Sequence, residues 1–409
     1  YLALDLFVNR LLPFLDTDTA MRLFISLYII LYAFGLSLLA RKFKLGFNLL
    51  LLHNLPLMYS IFFHLGFLNF LFSIPMFLFS IFVLEKFEEN IKLNSLFIGL
   101  LSLMMYLSHI FAFFAFCILF VCRFVSRREK LRSHAYIFLA ILPALVFSIN
   151  FGIGTLSEIS GSGSGSFDMV RRLRLLLYIF AHLPLNMLLA SSIAYIFAVC
   201  ILKKNSSVRS RLYLAASGVL LLSYFILPVS NYNISFRAIL FSLILFPFSL
   251  DVRDNLHMNI ARVLFIAVFA ISFLFLLRTF SDFNRNFSTS CAGQISEKSY
   301  VLPVDATNPE GGLTPYLHSW GYFYRYREIA TPYFEGNQQP VQLKEEIPAP
   351  SIYWIMRGDK KSPEMMTNIS SNYNYILVAG NDSVTESMIS SIADKICSDR
   401  IITLYKTRK

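Results

Sequence analysis

Arg237 carries the most chemistry in this sequence. It follows the run Leu227-Pro228-Val229-Ser230-Asn231-Tyr232-Asn233 at the edge of a strongly apolar stretch. An ionisable group at membrane depth is costly and marks a functional site by default. A guanidinium there offers a planar fork that matches a phosphate; on a purely structural reading it snorkels or pairs helices. His53-Asn54, His64 and Asn69 gather around two neighbouring apolar runs, and His64-Leu-Gly-Phe-Leu-Asn69-Phe70 reads as a turn between them. His64 and Asn69 can donate to a polar ligand, or satisfy backbone carbonyls in a tight helical hairpin. His109, at the tip of a second hairpin, suits an acid/base or ligand role, or simply caps a helix. Further along, His318-Ser-Trp-Gly-Tyr-Phe-Tyr-Arg-Tyr-Arg327 sets aromatic faces beside arginine. That combination suits sugars or a headgroup interface, and it serves equally as a loop packed on a membrane surface.

The elements that must position these residues are mostly membrane helices. Of 409 residues 56% are apolar and 15% charged, against about 25% charged in soluble domains. The net charge of +11 sits largely in short clusters between apolar runs, where it sets membrane orientation and does not call for nucleic acid. A span needs roughly 20 apolar residues. Candidate spans are 22–40, 46–63, 66–85, 94–107, 109–125, 135–152, 182–202, 211–229, 234–250 and 262–279.

Charge decides the parity. With 94–125 as a hairpin and the N-terminus outside, Arg41-Lys42-Lys44, Lys86/Lys92, the Arg123–Arg132 cluster and Lys203–Arg211 all fall on one side. Arg171-Arg172-Arg174 is the exception. The pattern predicts about ten membrane segments with the C-terminal tail outside. Residues 1–16 read as an amphipathic interfacial helix with Asp5, Asn9 and Asp16 near one face. Asp16-Thr17-Asp18-Thr19 offers capping groups for the first span. Loop 154–170 is flexible by composition, and 170–181 reads as a further interfacial segment.

From Ser281 the composition turns polar, giving a membrane domain at 1–280 and a soluble domain at 281–409. Short apolar runs at 300–304, 352–356 and 375–378 predict buried strands, 384–396 a helix, and 401–405 a last strand. That order favours a small, partly parallel α/β sheet. The predicted fold class is therefore an α-helical polytopic membrane protein with a small C-terminal α/β extracytoplasmic domain. Cys117, Cys122 and Cys200 read as packing residues. Cys291 and Cys397 both fall in the tail and can pair in an oxidising compartment, but spacing alone does not bring them together. There is no P-loop, zinc spacing, GxSxG or dinucleotide fingerprint. The sequence starts at Tyr1 with no cleavable-signal pattern, so its natural start is expected upstream.

Several short phrases, in order, give a resemblance. They are Leu4-Asp5-Leu6, Gly66-Phe-Leu-Asn69-Phe70, Tyr106-Leu-Ser-His109, Leu227-Pro228 followed by Arg237, Leu302-Pro303-Val304, and His318/Tyr322 to Thr331-Pro-Tyr-Phe334. The chain resembles bacterial polytopic membrane proteins related to the GT-C glycosyltransferases, which use polyprenyl-phosphate sugars. The resemblance implies sugar transfer at the outer face of the cytoplasmic membrane, with a polyprenyl-phosphate-linked sugar and membrane lipid as partners. It assigns no particular cofactor and admits a divalent metal. A carboxylate would deprotonate the acceptor hydroxyl, and Arg237 would stabilise the departing lipid phosphate. In GT-C enzymes that carboxylate lies in the loop after the first span. This chain departs from the pattern by beginning outside, which leaves Asp5 as the nominee. A lipid or polysaccharide transporter is the rival reading, although no paired half-helices occupy equivalent positions. A non-catalytic scaffold presenting the tail is the other, against which Arg237 favours a phosphate ligand.

Overall fold

The computed structural model describes residues 6–7, 10–11, 13–15, 17–45, 47–58, 60, 68–127, 131–159, 208–226, 234–249, 281–306, 329–330, 369–380 and 383–408, with isolated positions between 263 and 278. The chain divides into two compact units, Tyr1–Ser272 and Phe273–Lys409.

The first unit is helical. Its elements are α1 (Thr17–Phe43), α2 (Phe47–Met58), α3 (Leu68–Lys86), α4 (Ile91–Ser108), α5 (Ile110–Ser126), α6 (Leu131–Ile159), α7 (Val208–Ile226) and α8 (Ile234–Leu245), which tightens into a 3₁₀ turn at Phe246–Ser249. Local chemistry sets the ends. Lys44 adopts φ 55° after α1, and the Leu45 N–H returns to the Ala40 carbonyl at 3.0 Å, the 6→1 bond of a Schellman stop. The Asn90 side chain accepts from the Leu93 N–H at 3.2 Å and starts α4, as a capping asparagine should. A single extended residue, His109, ends α4 and begins α5. The expected 94–125 hairpin is thus two helices, and the expected 46–63 segment is helical over Phe47–Met58, with residues 59 and 61–63 outside the described residues.

Contacts fix the directions. At one end of the unit Phe24 stacks on Phe72 at 4.8 Å, Phe70 meets His109 at 5.1 Å, and Tyr106 stacks on Phe147 at 5.9 Å. At the other, Phe43 meets both Tyr213 and Phe248 at 5.5 Å, and Arg123 meets Glu85. Helices α1 to α6 therefore alternate up and down, as do α7 and α8. The basic residues Arg41, Lys42, Lys86 and Arg123 gather at the second end.

Among the described residues four helices are long and apolar enough to cross a membrane: Thr19–Phe43, Leu68–Lys86, Ile91–Ser108 and Leu131–Ile149. Their outward faces are apolar as well. Leu96, Leu100, Leu139 and Val146 are among the exposed large side chains, a pattern that suits lipid and not water. Small residues let the helices approach: a Cβ on Gly99 would stand 3.2 Å from the Ala140 carbonyl oxygen, and one on Gly35 3.1 Å from Leu78 Cβ. The expected segment 182–202 and the interfacial stretch 170–181 lie outside the described residues, and 262–279 largely so. Of the expected interfacial helix 1–16, Leu6–Phe7 and Arg10–Leu11 are helical, and Phe7 packs edge-on against Phe24 at 5.2 Å.

The second unit is a five-stranded sheet in the order β2-β1-β3-β5-β4, with β1 (Ser299–Asp305), β2 (Ile329–Ala330), β3 (Tyr375–Ala379), β4 (Ala393–Asp399) and β5 (Ile402–Thr407). Strands β2, β1 and β3 run parallel; β5 is antiparallel to β3 and β4. Period-two alternation sorts side chains to two faces. Val301, Tyr375, Leu377 and Leu404 pack with Phe283 and Ile295 on one; Leu302, Val304, Ile376 and Val378 pack with Ile389 and Tyr405 on the other. Covered on both sides, β3 is buried throughout.

Helix α9 (Ser383–Ile392) stops short of the predicted 384–396, and Ala393–Asp399 is a strand instead. Pairing with β5 through a tight turn at Arg400 (φ 55°) and a Cys291–Cys397 disulfide override the helical pattern there. Asp399 accepts from the Ser288 and Ser290 hydroxyls at 2.5 and 2.7 Å, which hold its carboxyl below the usual carboxylate range. The expected strand 352–356 lies outside the described residues.

Candidate functional site

Arg237 lies in the second turn of α8 and points into the unit, 7% exposed. One turn later, Phe241 packs edge-on against Phe70 at 5.9 Å and Phe77 at 4.8 Å, and stacks near Phe111 at 6.3 Å. This aromatic floor excludes water beneath the guanidinium. Its carbon sits 5.2 Å from the Phe70 ring centroid, a cation–π distance. Out of water, a fixed cation attracts an anion far more strongly than at a surface.

The break between α4 and α5 places His109 against it. The His109 ring is 3% exposed, and its Nε2 lies 2.6 Å from Arg237 Nη1. Its Nδ1 accepts from the Phe111 N–H at 3.2 Å, which is the capping role, while the Phe70 ring meets its edge at 5.1 Å. The capping use that the sequence left open for His109 is therefore present, and the same ring also meets Arg237. Phe70 touches both Arg237 and His109. Asn69, its neighbour in the first turn of α3, is partly buried at the same end.

Of the residues expected to form the site, Arg237 and His109 are brought together, with Asn69 close by in sequence to their shared aromatic wall. Asp5, His64 and His318 lie outside the described residues. His53 and Asn54 bond to neighbouring helices and to their own. His53 Nε2 meets the Leu243 carbonyl at 2.8 Å. Asn54 accepts from the Tyr32 hydroxyl at 2.9 Å and donates to the Leu50 carbonyl at 2.9 Å. Among the described residues no group of three His, Cys, Asp or Glu is placed to hold a metal ion.

A second polar cluster, at the opposite end of the helical unit, corrects the charge reading. Arg123 and Arg127 are not simply loop charges. Arg123 is 3% exposed; it pairs with Glu85, bonds Glu88 at 2.9 Å, and donates to the Leu84 carbonyl at 3.2 Å. Arg127 pairs with Glu88 and reaches Glu85 at 3.7 Å. The Tyr213 hydroxyl donates to Glu85 at 3.3 Å. Glu85 in the last turn of α3 and Glu88 just beyond it face Arg123 in the last turn of α5 and Arg127 at its C-cap, spacings of three and four residues that bring each pair to one side of its helix end. That complementarity was the available sequence signal. The cluster is charge-balanced and ties α3, α5 and α7 together.

No family model, curated protein or solved structure matches this chain.

Proposed function

We propose that the chain is a GT-C-like membrane glycosyltransferase that moves a sugar from a polyprenyl-phosphate donor to an acceptor at the outer face of the cytoplasmic membrane. The observation that carries this reading is the buried guanidinium of Arg237, set over Phe70 and against His109 at one end of the helical unit. A lipid phosphate is an anion that reaches such a place from the bilayer without crossing water. The sugar-transfer step itself rests on the sequence resemblance.

Two features support an outward-facing site. Arg237 lies at the end away from the basic clusters, which favour the cytoplasmic side. The Cys291–Cys397 bond is of the kind that persists in oxidising compartments, which fits a tail on the outer side. In the transfer, a carboxylate takes the proton of the acceptor hydroxyl, with Asp5 the nominee. The acceptor oxygen bonds the anomeric carbon as the bond from that carbon to the phosphate oxygen breaks. The phosphate leaves with the electron pair, and Arg237 meets the charge that develops on it.

The test is binding of a polyprenyl-phosphate sugar to the detergent-solubilised protein. Arg237→Ala is expected to weaken it by a factor on the order of a hundred, as for loss of one member of a buried charge pair. Unchanged affinity would remove Arg237 from the site and the reading with it.

A further inference from the structure

The His109–Arg237 contact contains a count that does not balance within the pair. His109 Nδ1 faces the Phe111 N–H at 3.2 Å, and His109 Nε2 faces an Arg237 N–H at 2.6 Å. Each ring nitrogen thus meets a donor. A neutral imidazole has one acceptor nitrogen and one N–H, and a protonated one has no acceptor. No ordinary protonation state satisfies both contacts.

We propose that His109 is a second anion-binding residue, and that the pair opens to take a phosphate oxyanion between Nε2 and Nη1. The inference deepens the reading of Arg237 as a lipid-phosphate site and rests on it. The Phe111 N–H, held by the start of α5, fixes the acceptor at Nδ1 and so leaves the ring proton on Nε2, aimed at Arg237. A phosphate oxygen accepts from both the Nε2–H and the guanidinium, which turns the donor-to-donor contact into two hydrogen bonds. Phe70 holds the geometry, because its ring lies against the His109 edge and the Arg237 face together. The helix break at His109 is thus a device for aiming Nε2. A cap alone would be served better by asparagine or serine.

That difference supplies the experiment. His109→Asn keeps an acceptor for the Phe111 N–H and loses the donor at the ε position. His109→Gln places an amide N–H near the ε position and is the poorer cap. Binding of sugar-free polyprenyl phosphate, and separately of inorganic phosphate, is measured for the full chain in detergent beside its thermal unfolding. Asn is expected to keep the wild-type melting temperature and lose about tenfold or more in affinity for phosphate, the scale of a hydrogen bond to a charged group. Gln is expected to melt lower and retain most of the affinity. The reverse pattern, Asn binding like wild type while Gln binds poorly, assigns His109 to capping alone and overturns the proposal. His109-dependent binding of inorganic phosphate without binding of polyprenyl phosphate would keep the oxyanion site and sink the glycosyltransferase reading. Failure of the wild-type protein to bind either phosphate would overturn the oxyanion site.

Discussion

Removing Arg123 takes the direct partner from the nearly buried Glu85 and leaves it the longer contact to Arg127 at 3.7 Å and the Tyr213 hydroxyl at 3.3 Å. A buried charge stripped of every partner costs about 3–5 kcal/mol, which sets the upper bound here. Arg123→Ala is accordingly expected to lower the unfolding midpoint in detergent sharply. The double change Glu85→Leu with Arg123→Leu should be much milder, because apolar side chains replace both charges together. A double variant as unstable as the single one would show that the pair itself holds the fold. Sequence makes the two polar sites legible to different degrees. Arg237 stands out because a lone cation borders an apolar run, and His109 because it interrupts one. The Glu85–Arg123 cluster is hidden among charges at the ends of runs, where loop and interior residues look alike. Only the matched spacing of Glu85/Glu88 and Arg123/Arg127 separates them.

At the level of elements, apolar runs of membrane length locate the described helices, short apolar runs locate β1 and β3, and period-two alternation locates β5. The signal fails at 393–399. Lys395 and Ile396 are both exposed there, so burial imposes no clear period, and long-range pairing with β5 decides the conformation. Pairing of Cys291 with Cys397 is likewise set by the fold, across 106 residues of sequence separation, and nothing local announces it. Glycines test the helix packing. Gly99 brings α4 against the backbone of α6, with 3.2 Å between its would-be Cβ and the Ala140 carbonyl oxygen. A methyl added at Gly218, on α7, would have nothing within 4 Å. Gly99→Leu is expected to lower thermal stability by about 1–3 kcal/mol through overpacking. Gly218→Ala is expected to raise it by up to about 1 kcal/mol through helix propensity. Equal and small effects at both positions would contradict a close α4–α6 contact.

On the scale of the whole molecule, a unit with apolar helices of membrane length is followed by a disulfide-bonded sheet unit, for which an outer location is our proposal. A reporter active only in the periplasm, fused after Lys409, should be active. Cys291 and Cys397 should resist thiol labelling until reduced. An inactive fusion with freely labelled cysteines would refute the outward tail and the ten-segment count on which it depends. The glycosyltransferase reading turns on a narrower point: Arg237 holds the phosphate of a lipid-linked sugar. The most direct measurement is a side-by-side titration of wild-type protein and the Arg237→Ala and Arg237→Lys variants with a polyprenyl-phosphate sugar in detergent. Saturable binding is expected for wild type, partial loss with lysine, which keeps the charge without the fork, and near-complete loss with alanine. Equal affinity in all three would contradict a phosphate site at Arg237.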